Sequence, residues 1–158
     1  MEITWSKDQL KDQTGRLLTQ SLILEFGYND FAVFTINDDD KEYKGRVYPS
    51  LKKYYLDCED PYEYSFATKC LAGWRHWQRL CKNKLFKPHI EEWREELEVK
   101  MMSAGLGSLV DQALDGEKPN FQAAKWLAEH GWNKRGAGRP SKAEKERIDN
   151  IQEQLMNE

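Results

Sequence analysis

This sequence lacks the motifs by which most enzymes announce themselves. It has no Gly-x-x-x-x-Gly-Lys-Ser/Thr phosphate loop, which argues against ATP hydrolysis by this chain. A Gly-x-Ser-x-Gly nucleophile elbow and a His-Glu-x-x-His zinc site are also missing. The three cysteines, Cys58, Cys70 and Cys81, form no Cys-x-x-Cys pair, and an odd number at wide spacing predicts reduced thiols in a cytoplasmic compartment. The order Cys70, His76, Cys81, His89 lacks the close paired spacing of zinc sites, so buried thiols are expected in place of a metal, and no cofactor is expected. No apolar stretch approaches membrane-spanning length and no signal peptide is recognisable, so the expectation is a soluble intracellular protein with no membrane partner. Net positive charge is missing too, since the formal charge is -3.

What is present is ring-rich and charge-segregated. Trp 6, Tyr 7 and Phe 6 predict a core of large rings. A length of 158 residues predicts one domain with a tail. From Lys69 to Ile90 there are six Lys or Arg and no acid, and from Gly131 to Lys142 four and no acid. Acids gather at Asp38–Asp40, Asp57–Asp60 and Glu91–Glu98. Such segregation can present one face to phosphate and another to a protein partner.

The pattern predicts a mainly α fold: a helical domain with a small N-terminal β-hairpin, a candidate helix-turn-helix, and a basic extended C-terminal tail. The boundaries fall at 1–48, 49–132 and 133–158. Leu10, Leu17, Leu18, Leu22, Ile23 and Phe26 suggest a short amphipathic helix. Phe31–Ile36 and Lys41–Tyr48, around the polar Asn37–Asp40, read as the hairpin. Ser50 would cap a helix to about Cys58. Asp60-Pro61 would start a longer helix to residue 82, with Tyr62, Phe66, Cys70, Trp74, Trp77 and Cys81 on one face and Arg75, Arg79 and Lys82 on the other. Pro88 begins another, with Ile90, Trp93, Leu97, Met101 and Ala104 as its apolar stripe, five glutamates on its solvated side, and Gly105 and Gly107 as places to bend or break. Asn120 would cap a compact helix that stops at Gly131, with Trp132 folding back.

Two basic elements are candidate DNA contacts. The helix before residue 58, a tight turn, and the helix from 61 to 82 are compatible with a helix-turn-helix whose second helix, through Arg75, Arg79 and Lys82, enters the major groove. An ordinary solvated helix surface has the same composition. In the tail, Gly138-Arg139-Pro140 is flanked by Lys134, Arg135 and Lys142. Proline holds that backbone extended and glycine removes bulk, so a narrow segment can lie in an A·T-rich minor groove, as an AT-hook does. A flexible basic linker is the alternative. Ser141-Lys-Ala-Glu144 has the form of a capping box for a polar helix beyond it.

The segment Asn120-Phe-Gln-Ala-Ala-Lys-Trp-Leu-Ala-Glu-His-Gly-Trp-Asn-Lys-Arg-Gly-Ala-Gly-Arg-Pro-Ser-Lys142 resembles the C-terminal region of small terminase subunits of tailed bacteriophages. Asp60-Pro-Tyr-Glu-Tyr64 and Gly73-Trp-Arg-His-Trp77 are similar to segments of such proteins, and the likeness spans roughly 50–145. The resemblance implies a non-enzymatic DNA-packaging protein in the cytoplasm of the infected host. It would bind double-stranded DNA, assemble into a ring, and hand the genome to a large subunit holding the ATPase and nuclease. It further implies that Ile90, Trp93, Leu97 and Met101 pack subunits together, and that the acidic helix or the tail meets the large subunit. In that family the helix-turn-helix is typically N-terminal, whereas residues 1–48 here read as a helix and a hairpin. A transcriptional or nucleoid regulator using the same tail is the alternative reading, and an adaptor without a DNA role is a third.

Overall fold

The computed structural model describes residues 3–27, 30–116 and 118–133. In chain order its regular elements are strands β1 (Lys41–Tyr43) and β2 (Arg46–Tyr48), then helices α1 (Leu51–Asp57), α2 (Tyr64–Lys69), α3 (Trp74–Cys81), α4 (Lys87–Leu114) and α5 (Phe121–Ala128). The fold is mainly helical with one small antiparallel hairpin. The chain divides into two compact units, Met1–Leu106 and Gly107–Glu158.

In the first unit, the N-terminal segment is not the expected amphipathic helix. It is irregular chain with short 3-10 turns at Lys7–Leu10, Gln20–Leu22 and Leu24–Phe26. Asp12 explains the failure. Its Oδ1 accepts the backbone N–H groups of Thr14 and Arg16 at 2.8 and 2.9 Å, so a side chain competes for donors that a helix would use. Leu10, Leu22 and Ile23 are still fully buried, in the same core as the helices.

The hairpin is displaced as well. Its turn is Lys44-Gly45, both at positive φ (51° and 74°), the combination a two-residue turn requires for the strand twist. The run Phe31–Ile36 is not the partner strand. It makes single parallel bridges, Phe34 with Ile23 and Thr35 with Ser50. The aspartates expected in the turn are acceptors: Asp40 takes the Ser50 N–H at 2.9 Å and Asp38 takes Lys52 Nζ at 2.6 Å.

Ser50 caps α1 as expected, accepting from the Lys53 N–H at 3.2 Å. The long helix predicted for 61–82 is two helices. Gly73 breaks it, with φ 105° and ψ 179°, a conformation essentially closed to other residues. The periodicity ran across this break, so residues predicted on one face part company. Phe66, Cys70 and Trp77 are buried, whereas Tyr62 is 83% and Trp74 39% exposed.

The core joins all four helices of this unit. Tyr55 of α1 lies against Phe66 of α2, Trp77 of α3 and Trp93 of α4, at ring-centroid distances of 5.2, 5.9 and 5.7 Å. Trp5 packs edge-on against Phe34 and Tyr54, both at 4.7 Å. Helix α4 passes Gly105 and Gly107 unbroken.

In the second unit, Asn120 caps α5 by accepting from the Gln122 and Ala123 N–H groups at 3.1 and 3.2 Å. Trp132 folds back on Trp126, with ring centroids 6.2 Å apart. Gly131 is required there, because a Cβ would sit 2.1 Å from the Trp126 ring.

The two kinds of glycine in the first unit respond oppositely to a methyl group. Gly73→Ala should lose about 1–3 kcal/mol through the strained backbone. Gly105→Ala, mid-helix with open space around it, should gain about 0.5–1 kcal/mol. Urea unfolding of the two variants checks both signs.

Candidate nucleic-acid interface

Helices α2 and α3 are joined by the four residues Cys70-Leu-Ala-Gly73. Two short helices with a three- or four-residue turn containing glycine have the segment lengths of a helix-turn-helix. The helix pair is shifted from the one predicted, which combined α1 with a continuous 61–82 helix. The physical reason is again Gly73: its carbonyl accepts the His76 and Trp77 N–H groups at 3.0 and 3.2 Å and starts a new helix.

Helix α3 is sharply two-faced. His76, Trp77 and Leu80 are fully buried. Arg75, Gln78 and Arg79 are exposed, and so is Lys82, just past the helix end. The structure therefore brings Arg75, Arg79 and Lys82 together along one outer surface. Trp74, read from the sequence as core, stands at the rim beside Tyr64, 6.2 Å between ring centroids.

Side chains from four directions hold this pair of helices in place. Glu63, immediately before α2, sits in the left-handed region (φ 63°) and is 7% exposed. Its carboxylate accepts from Tyr55 OH at 3.0 Å, Trp77 Nε1 at 2.8 Å, and Arg94 Nε and Nη2 at 2.6 and 2.9 Å. Burial pushes this carboxyl up, but the bonds from Arg94, Trp77 and Tyr55 outweigh it, and the net direction is down. Asp60 secures the start of α2, taking the Tyr62 and Ser65 N–H groups at 2.9 and 2.7 Å. From the N-terminal segment, Trp5 Nε1 donates to the Cys70 carbonyl at 2.9 Å and Lys7 Nζ to the Thr68 carbonyl at 2.8 Å.

His76 makes the last attachment. Its Nε2 lies 2.6 Å from the Leu18 carbonyl and its Nδ1 3.4 Å from the Ala72 N–H. A neutral ring protonated on Nε2 satisfies both partners. Burial, with Arg79 nearby, lowers its pKa and favours that neutral form.

The other sequence candidates fall elsewhere. Ile90, Trp93 and Leu97 are 1–2% exposed and belong to this chain's own core, so the expected subunit-packing stripe is spent within the chain. A stripe at helical spacing cannot reveal whether its partner is the same chain or another. Met101, 38% exposed, is the one member with free surface. Lys134, Arg135, Gly138, Arg139, Pro140 and Lys142, with the polar helix beyond, lie outside the described residues. Glu92 and Glu96 pair with the buried Lys52 at 3.8 and 2.8 Å. Burial raises the Cys70 thiol to about 12 and the Cys81 thiol to about 11, which keeps both protonated and unreactive. Among the described residues no group of three His, Cys, Asp or Glu is placed to hold a metal, and no helix is long and apolar enough to cross a membrane.

Sequence reasoning missed Glu63 and Gln78. The available signal for Glu63 was Arg94, the lone cation inside the acidic run Glu91–Glu98. No protein-family model, curated protein or solved structure matches the chain.

Glu63→Gln should cost about 2 kcal/mol, less than a fully buried pair because the Arg94 side chain is 48% exposed. The sign with pH follows from the depressed carboxyl. The stability Glu63 contributes is complete above its ordinary 4.5 and is lost as pH falls through the lower folded value. Thermal melts from pH 7 to 3 should show the two proteins converging in acid.

Proposed function

We propose that this chain is the DNA-recognising small subunit of a tailed-phage terminase, and that α3 carries the contact to duplex DNA. The observation that carries the reading is the outer face of α3, where Arg75 and Arg79 are exposed, with Lys82 following them, while the inner face is fully buried. In a helix-turn-helix the second helix lies in the major groove and its N-terminal residues reach base edges. Arg75, in the first turn of α3, is placed for guanine O6 and N7. Gln78 has the amide that pairs with adenine, and Arg79 and Lys82 have the charge that phosphate needs. The Gly138-Arg139-Pro140 tail would add a minor-groove or phosphate contact. The resemblance of residues 50–145 to small terminase subunits supplies the biological setting: a ring-forming, non-catalytic partner of the large ATPase and nuclease subunit, in the host cytoplasm.

Arg75→Ala with Arg79→Ala should weaken binding to labelled duplex and lower the slope of log affinity against log salt by about 0.9 for each phosphate no longer neutralised. Thermal stability should be unchanged, because both side chains are exposed. Arg135→Ala with Arg139→Ala reports the tail's share in the same titration. Duplex binding unaffected by either pair would overturn the reading. A second measurement addresses the assembly: light scattering should give a large oligomer that stimulates a cognate large-subunit ATPase. A dimer selective for a pseudo-palindromic duplex would place the chain among regulators instead.

A further inference from the structure

The segment preceding the hairpin contains a short loop whose purpose the helical core does not explain. Lys11 and Leu17 form an antiparallel bridge, and the chain between them is a tight turn. The Asp12 N–H donates to the Arg16 carbonyl, and the Gly15 N–H to the Asp12 carbonyl, both at 2.9 Å. Asp12 Oδ1 gathers the Thr14 hydroxyl at 2.7 Å and the Thr14 and Arg16 N–H groups at 2.8 and 2.9 Å. Gly15 supplies the left-handed residue that closes the turn (φ 78°). The loop is thus cross-braced by its own acidic side chain, and its tip, Gln13 to Arg16, is exposed.

Both ends of this loop are fastened to the α2–α3 pair. Before it, Trp5 and Lys7 bond the carbonyls of Cys70 and Thr68, and Leu10 is fully buried. After it, the Leu18 carbonyl accepts from His76. The His76 attachment also says which edge of α3 the loop adjoins. At about 3.6 residues per turn, position 76 lies roughly 60° around the helix from position 79 and 100° from 75, with Trp74 and Cys81 on the far edge. The depressing influence of Arg79 on His76 agrees with that neighbourhood. Leu18 therefore borders the Arg79 edge of the exposed cationic face, and Arg16 precedes it by two residues.

We infer that the Lys11–Leu17 loop is a second nucleic-acid contact element, a wing beside α3, with Arg16 at its tip set against the phosphate backbone that flanks the groove α3 would occupy. This rests on the reading of α3 as a DNA-binding helix. A braced loop suits the task, because a contact presented by an ordered backbone loses less entropy on binding than one carried by a mobile arm. Phosphate is the fitting chemistry, since Arg16 gives the tip a guanidinium and no large apolar surface, while the Asp12 carboxylate and the Thr14 hydroxyl are bonded to each other within the loop. Lys11, at the loop's base, is paired with Asp8 at 3.4 Å and adds no net charge, so the contact falls to Arg16.

The test is a salt titration of fluorescence anisotropy on a labelled duplex, using the full chain and Arg16→Ala, Arg16→Glu and Arg75→Ala/Arg79→Ala variants. One phosphate contact with a slope of about 0.9 corresponds to about eightfold in affinity at 0.1 M salt, relative to 1 M. Arg16→Ala should weaken binding by about that factor and flatten the slope by about 0.9. Arg16→Glu should weaken it further, and neither variant should shift the thermal midpoint. If both Arg16 variants bind as the parent does while the Arg75/Arg79 variant is weakened, the wing is refuted and the α3 reading stands. If the parent chain itself retains no duplex at low salt, both are refuted together.

Discussion

A single buried carboxylate organises the first unit. Glu63 comes to rest in a pocket made by three other helices, and an ionised carboxylate there would be prohibitively costly without partners. It has four bonds, from Tyr55 of α1, Trp77 of α3 and two nitrogens of Arg94 on α4. Each bond fixes a ring or a guanidinium that the core also needs in one orientation. The aromatic cluster of Tyr55, Phe66, Trp77 and Trp93 is therefore specified by hydrogen bonding as well as by packing. A network of this sort contributes less to net stability than its bonds suggest, because desolvation offsets them. Its contribution is to select one arrangement, since every alternative leaves the carboxylate or an indole N–H without a partner.

The consequence reaches the surface through α3. Trp77 is bound to Glu63 on one side of the helix's buried face, and His76 is bound to Leu18 at its edge. With the inner face tied at two places, the helix has no rotational freedom, and its cations must face outward. The same anchoring sets the position of the N-terminal segment, whose irregular backbone is held by side-chain bonds to α2, α3 and the turn between them. The phosphate contact proposed for this surface would benefit from such rigidity, because less entropy would be lost on binding.

Much of the helical plan was legible from residue type alone. Ser50 and Asn120 cap the helices they were expected to cap, because a short hydroxyl or amide side chain can take orphan N–H groups from the first turn wherever it stands. Trp132 turns back after Gly131 for an equally local reason. What failed was inference across a break. The four- and three-residue spacing from Tyr62 to Cys81 looked continuous, yet Gly73 stops the helix and turns Trp74 out. The hairpin failed likewise: Asn37–Asp40 has turn residues, but two consecutive positive φ values were available at Lys44-Gly45, and the aspartates found cations and N–H groups from other parts of the chain.

The sequence by itself determined the class of fold, the caps, the ring-built core and the outward face of Arg75 and Arg79. Each of these follows from short-range chemistry or from periodicity within one element. Only the tertiary structure decided that Glu63 is buried, that Ile90, Trp93 and Leu97 are consumed by the chain's own core, and that the Leu18 carbonyl meets His76 of α3. Those outcomes depend on contacts between residues far apart in sequence, such as Glu63 with Arg94 or Leu18 with His76. Nothing about a glutamate's neighbours in the chain records whether an arginine 31 residues away will meet it.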